Sequence, residues 1–182
     1  MKTITDHILD IVQNSIRANA TLIEIIVEEN KKNDFYSLII SDNGCGMDEE
    51  TLKKAANPFF TSRKTRGVGL GLSLLKQNAE MAGGNFSLYS VVNKGTEVKA
   101  SFQLSNVDRP PLGDVWNMFY YTMIGNETID FHYIHKTENG TIEIQSEEIK
   151  RSLEGVSLRQ KEIREAILEL IQNNLKEIKA TN

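Results

Sequence analysis

The chain has few of the residues that staple, kink or anchor a protein: one cysteine, three prolines and one tryptophan in 182 residues. A single thiol, Cys45, cannot close an internal disulfide, which agrees with a reducing compartment. No apolar run reaches the roughly eighteen residues a membrane-spanning helix needs, and the N-terminus carries no signal-peptide pattern. The expectation is therefore a cytoplasmic protein with no membrane association. A basic excess is also missing, with 21 Lys and Arg against 25 Asp and Glu. Residues 1–106 hold 12 of each sign, which leaves 9 basic and 13 acidic residues in 107–182. Neutralising a phosphate backbone takes a basic stripe, so a nucleic-acid partner is not expected.

What is present is an ordinary globular composition, 40% apolar and 25% charged, in a length that suits one domain or one domain with an appendage. The stretch that organises it is Ser41-Asp42-Asn43-Gly44-Cys45-Gly46-Met47. The apolar run before it, Phe35 to Ser41, reads as a buried strand, so Asp42 stands at a strand end with its carboxylate free to accept from an amine. Glycines at 44 and 46 remove Cβ where backbone would lie against a planar ligand or take positive φ. Alone, Asp-Asn-Gly is equally an ordinary turn.

Two more stretches change the balance. One is Asp10-Ile-Val-Gln-Asn14-Ser-Ile-Arg-Ala18, on an amphipathic helix predicted over 3–18, where Ile4, Ile8, Ile11, Val12 and Ile16 form the apolar face. The other is Pro58-Phe59-Phe60-Thr61-Ser-Arg63-Lys64-Thr-Arg66-Gly67-Val68-Gly69-Leu70-Gly71, a cationic, glycine-rich segment leading into a helix over 70–81. Backbone N–H groups and cations at a helix N-terminus suit a polyphosphate.

In order and spacing these stretches resemble the GHKL, or Bergerat-fold, ATPases over about residues 1–104. Asp10 to Ala18 matches the N box, Asp42 to Gly46 the first glycine box and Phe59 to Thr61 the phenylalanine box. Gly67 to Gly71 matches the second glycine box, and Gly95-Thr96 the closing glycine-threonine element. The resemblance implies ATP and Mg²⁺ as ligands. Asp42 would accept from the adenine amine, Asn14 would hold the metal through its amide oxygen, and Thr96 would face the base. Ala18, Gly44, Gly46, Phe59, Lys64, Arg66, Gly67, Val68, Gly69, Leu70 and Gly71 would complete the nucleotide site. Asp10 occupies the position of the general base. Some branches carry glutamate there, one methylene longer, and Arg17-Ala18 replaces an Asp-Ala pair.

Strands are predicted at 22–28 and 35–41 and as a hairpin at 85–92 and 96–104, with a short helix after Asp48. The tail predicts a helix over 114–123, a hairpin at 128–136 and 141–146, and a long helix over 157–179. His132 and His135 fall on opposite strand faces, which disfavours a two-histidine metal site. The expected fold is an α+β two-layer sandwich: a mixed sheet with helices on one face in a histidine-kinase-like domain, residues 1–106, with a helix-hairpin-helix appendage, residues 107–182. Three activities remain open: a regulatory kinase acting in trans, a slow ATPase switch using Asp10, and a nucleotide-sensing module that docks on a protein partner.

Overall fold

The computed structural model describes residues 1–55, 71–153 and 155–181. Helix α1 (Ile4–Arg17) opens the chain, followed by strands β1 (Leu22–Asn30) and β2 (Phe35–Asp42) and helices α2 (Glu49–Ala55) and α3 (Gly71–Met81). Then come β3 (Phe86–Val91), β4 (Gly95–Gln103), α4 (Val115–Gly125), β5 (Asp130–Thr137), β6 (Gly140–Gln145), α5 (Ser146–Ser152) and α6 (Lys161–Glu177). The strands make one six-stranded sheet in the order β3-β4-β2-β1-β5-β6. Neighbours are antiparallel except β1 and β5, which run parallel, so the sheet is mixed as expected.

Strand alternation decides which face is covered. Ile23, Ile25 and Val27 of β1, Tyr36, Leu38 and Ile40 of β2, Val98, Ala100 and Phe102 of β4, and Phe131 and Tyr133 of β5 are all buried. They share one face by register and by the period of two. Against them pack Ile4, Ile8, Ile11 and Val12 of α1, Leu75 and Ala79 of α3, Phe119 and Met123 of α4, and Ile167, Ile171 and Leu175 of α6. Each Val, Leu, Ile, Phe or Met side chain among them contributes about 1.5–3 kcal/mol on burial, so this single layer of contacts dominates stability. Helix α1 starts where Thr3 accepts from the Asp6 amide and the Asp6 carboxylate accepts from the Thr3 amide, a reciprocal cap that fixes the register of every residue after it.

The tail departs from the expectation of an appendage beside a finished domain. Strand β5 pairs with β1 along Leu22 to Glu28, and β6 pairs with β5, so the hairpin continues the same sheet. The reason is that β1 would otherwise be an edge strand, with one row of N–H and C=O groups unpaired. Residues 146–152 form a helix that the sequence pattern did not suggest. Glu147 and Arg151 pair one turn apart on it, and the Ser146 hydroxyl accepts from the Phe131 amide.

A buried polar cluster locks the C-terminus to this sheet. Glu29 and His135, 3% and 0% exposed, lie 2.8 Å apart from Oε1 to Nε2, and the Tyr133 hydroxyl is 2.7 Å from His135 Nδ1. The Thr181 amide and hydroxyl both donate to Glu29. Burial alone would raise the Glu29 carboxyl, but the hydrogen bonds from His135 and Thr181 outweigh it and hold the group below its ordinary value.

Candidate functional site

Strand β2 ends at Asp42, whose cross-strand neighbour on β4 is Thr96, which in turn faces Ser90 on β3. These three polar side chains continue the row that is apolar further along the sheet. Asp42 is held from two sides. Ser15 Oγ of α1 donates to Oδ2 at 2.6 Å and the Gly44 amide donates to Oδ1 at 2.9 Å. Each carboxylate oxygen therefore keeps a lone pair for something else.

The loop after Asp42 lies flat against its surroundings. A Cβ on Gly44 would come within 2.8 Å of the Ala18 Cβ, so this glycine and this alanine are matched in size. Gly46 has φ of +65°, and a Cβ there would meet the Val91 carbonyl oxygen at 2.0 Å. Asn43 pins the loop's start, accepting from the Thr21 and Leu22 amides at 2.8 and 3.0 Å. The loop's other end is docked on the β3–β4 hairpin: Met47 N donates to Ser90 Oγ, and Asn93 N donates to the Cys45 carbonyl.

Helix α1 supplies the second wall. Asp10 and Asn14 are both half-buried, one turn apart. The Asn14 amide oxygen accepts from Arg17 Nη1 at 2.7 Å. Asp10 abuts the first residue of α3, with its Oδ2 1.8 Å from where a Gly71 Cβ would stand. Among the described residues no three or more His, Cys, Asp or Glu side chains are arranged to hold a metal ion. A hard cation brought by phosphates needs few protein ligands, and one amide oxygen such as that of Asn14 is chemically sufficient.

The structure thus brings Ala18, Asp42, Gly44, Gly46 and Thr96 to one end of the sheet, bounded by Asp10, Asn14 and Gly71. Phe59, Lys64, Arg66, Gly67, Val68, Gly69 and Leu70 lie outside the described residues. This arrangement meets its counterpart in sequence comparison, where residues 2–106 match the family described as histidine kinase-, DNA gyrase B- and HSP90-like ATPases. The chain belongs to this family.

Among curated relatives of this ATPase family, a putative sensor protein of Shewanella frigidimarina (strain NCIMB 400) is 38% identical over 103 residues, 56% of this chain and 16% of that protein. The sensor histidine kinase YvrG of Bacillus subtilis (strain 168) is 33% identical over 100 residues, 52% and 17% of the two chains. The chain therefore spans about a sixth of the length of these relatives. In fold it resembles the N-terminal domain of a DNA repair protein, with a TM-score of 0.53 and 22% identity over 80% of this chain and 52% of that one.

Three residues of the site had not been singled out from sequence. Ser15 and Ser90 have ordinary small hydroxyls whose partners are 27 and 43 positions away for Asp42 and Met47. Asn43 carried a readable signal, since asparagine at a loop start commonly accepts from backbone amides. Each histidine has at least one polar partner. His7 is 0% exposed and bonded to Asn78, and burial pushes its pKa down to about 4. His135 is in the buried cluster, and His132 lies between Glu24 and Glu143. No helix among the described residues is long and apolar enough to cross a membrane.

Proposed function

We propose that this chain binds ATP with Mg²⁺ and acts in regulation through a protein partner. The observation that carries the reading is the Asp42 carboxylate, fixed by Ser15 and Gly44 and set beside Thr96 under a loop flattened by Gly46. An ionised carboxylate held in this way accepts from an exocyclic amine and repels a carbonyl, which favours adenine. Asn14 would lend its amide oxygen to the metal, giving up or sharing its bond to Arg17. The metal, when bound, screens the charge of the phosphates. Asp10 stands at the N-terminus of α3, where it could orient a water against the terminal phosphate.

The regulatory reading is supported by relatives whose names describe sensor proteins and sensor kinases. If phosphoryl transfer occurs, the acceptor lies outside the three histidines of residues 1–182, because His7 and His135 are fully buried and His132 is bridged by two carboxylates. A second reading, ATP held without turnover, is favoured by the short reach of Asp10, since a general base must come within hydrogen-bond distance of its water. Single-turnover assays with the bound nucleotide identified by mass separate the two. Conversion of ATP to ADP by the purified chain supports hydrolysis, and intact ATP after prolonged incubation supports the sensing module.

A further inference from the structure

Lys150 of α5 has three ammonium hydrogens and three acceptors around them. Its Nζ donates to the Glu127 carbonyl at 2.9 Å, to the Ile129 carbonyl at 2.8 Å and to Asp130 Oδ1 at 3.3 Å. The side chain is 22% exposed, so Lys150 acts as a pin through the α4–β5 turn and not as a free surface charge. The turn closes on itself as well, with Ile129 N donating to the Asn126 carbonyl.

The pinned turn reaches the glycine loop in two steps. Asp130 meets Lys150 through its carboxylate and Thr21 through its amide, which donates to the Thr21 carbonyl at 2.9 Å. Thr21 lies before the first rung of both ladders of β1, so no strand pairing holds it. Asn43 takes its other polar atoms: Thr21 N donates to Asn43 Oδ1 at 2.8 Å, and Asn43 Nδ2 donates to Thr21 Oγ1 at 2.9 Å. Asn43 in turn stands between Asp42 and Gly44, whose amide holds the Asp42 carboxylate.

From this we infer that Lys150 is a positioning residue for the glycine-box loop, and that it couples the tail to the nucleotide site. The coupling runs through one contiguous set of hydrogen bonds, from Lys150 to Asp130 to Thr21 to Asn43. It is reciprocal: loosening the α4–β5 turn lowers affinity at the loop, and a ligand that fixes the loop tightens the turn. A protein partner that draws Lys150 away therefore weakens ATP binding. The inference rests on the reading that this loop binds ATP.

The test combines amide hydrogen exchange with ATP calorimetry on the whole chain. Lys150→Met keeps the length of the stem and removes all three donors. Without nucleotide, exchange at Thr21, Leu22 and Cys45 should quicken about tenfold in this variant, while Ser101, bonded to Asn85 on the β3 side of the sheet, keeps its parental rate. Thr137→Val, which loses a bond to Ile178 in the same tail, should leave the first three amides at parental rates. ATP binding should weaken about tenfold in Lys150→Met and stay parental in Thr137→Val. In the parent, ATP should slow exchange at Asp130. Parental exchange at Thr21 and Leu22 in a folded Lys150→Met, or quickening spread evenly over the sheet, overturns the role of Lys150 and leaves ATP binding standing. A parent that binds no ATP overturns the proposed function, and the coupling with it. Should Lys150→Met fail to fold, the parent decides, and unchanged exchange at Asp130 on adding ATP overturns the coupling.

Discussion

Asp10 and Gly71 are in contact across the α1–α3 boundary, the carboxylate of one filling the space where the other lacks a Cβ. The pair ties Gly71, where the second glycine box ends and α3 begins, to Asp10, where the N box begins. Gly71→Ala should therefore destabilise the chain by about 1–3 kcal/mol through overpacking. The Asp10 Cβ is 3.4 Å from the added atom, an acceptable distance, so Asp10→Ala should relieve most of that cost. Denaturant melts of both single variants and the double variant give the coupling energy. Simple additivity would mean that the two residues do not meet.

Acid stability should follow two groups on the covered face. Burial holds His7 down to about 4 from 6.5, so the unfolded chain takes up a proton that the folded chain refuses between those values. Stability is then full above 6.5 and falls with pH by up to about 1.4 kcal/mol per unit until pH 4. Glu29 is held below its unfolded value, so its contribution is present above that value and is lost as pH falls through the folded one. His7→Gln, whose amide oxygen can still accept from Asn78, should flatten the curve between pH 6.5 and 4 and leave the loss due to Glu29 in place. A parental slope in that variant would assign the loss elsewhere.

Much of the first half was legible because its signals are local. Asp42 stands where a strand pattern ends, Gly46 takes the positive φ that only a loop requires, and Ile4, Ile8, Ile11 and Val12 recur at helical spacing and do face the sheet. The order of the sheet was not legible. Nothing in the alternation of Asp130 to Thr137 says that it pairs parallel to β1 instead of closing a separate hairpin unit. Side-chain donors fared likewise: Ser15 and Ser90 matter through atoms brought together by the fold, and no short-range pattern marks a serine whose partner lies on another strand. The short helix α5 was not legible because Ile149 is its single apolar residue, too few to show a helical period after the strand reading stops at Ser146.

Metal dependence isolates Asn14. Asn14→Ala should abolish the effect of Mg²⁺ on ATP affinity while the fold survives, since alanine is well tolerated in a helix. Arg17, which now donates to that amide, would keep its longer contact to Gln13 and remain a solvated cation. Calorimetric titrations with and without Mg²⁺ give the answer, and a parental metal effect in the variant would remove Asn14 from the metal site.

Turnover isolates Asp10. If its carboxylate activates water, Asp10→Asn should lower hydrolysis by about 10²–10⁴-fold with ATP affinity nearly intact. Asp10→Glu should then hydrolyse at least as fast as the parent if reach is the limit. For a sensing module, parental turnover is already near background and neither change moves it. Single-turnover rates of the three proteins separate these outcomes.

If Asp42 reads an adenine amine, calorimetry of ATP and GTP with the parent and with Asp42→Asn must show it. The asparagine can turn an N–H₂ toward the base amine, so ATP binding should weaken by about 1–3 kcal/mol in the variant. The parent should bind GTP far more weakly than ATP. Equal affinity of the parent for the two nucleotides, or an Asp42→Asn variant that binds ATP as tightly as the parent, would contradict it.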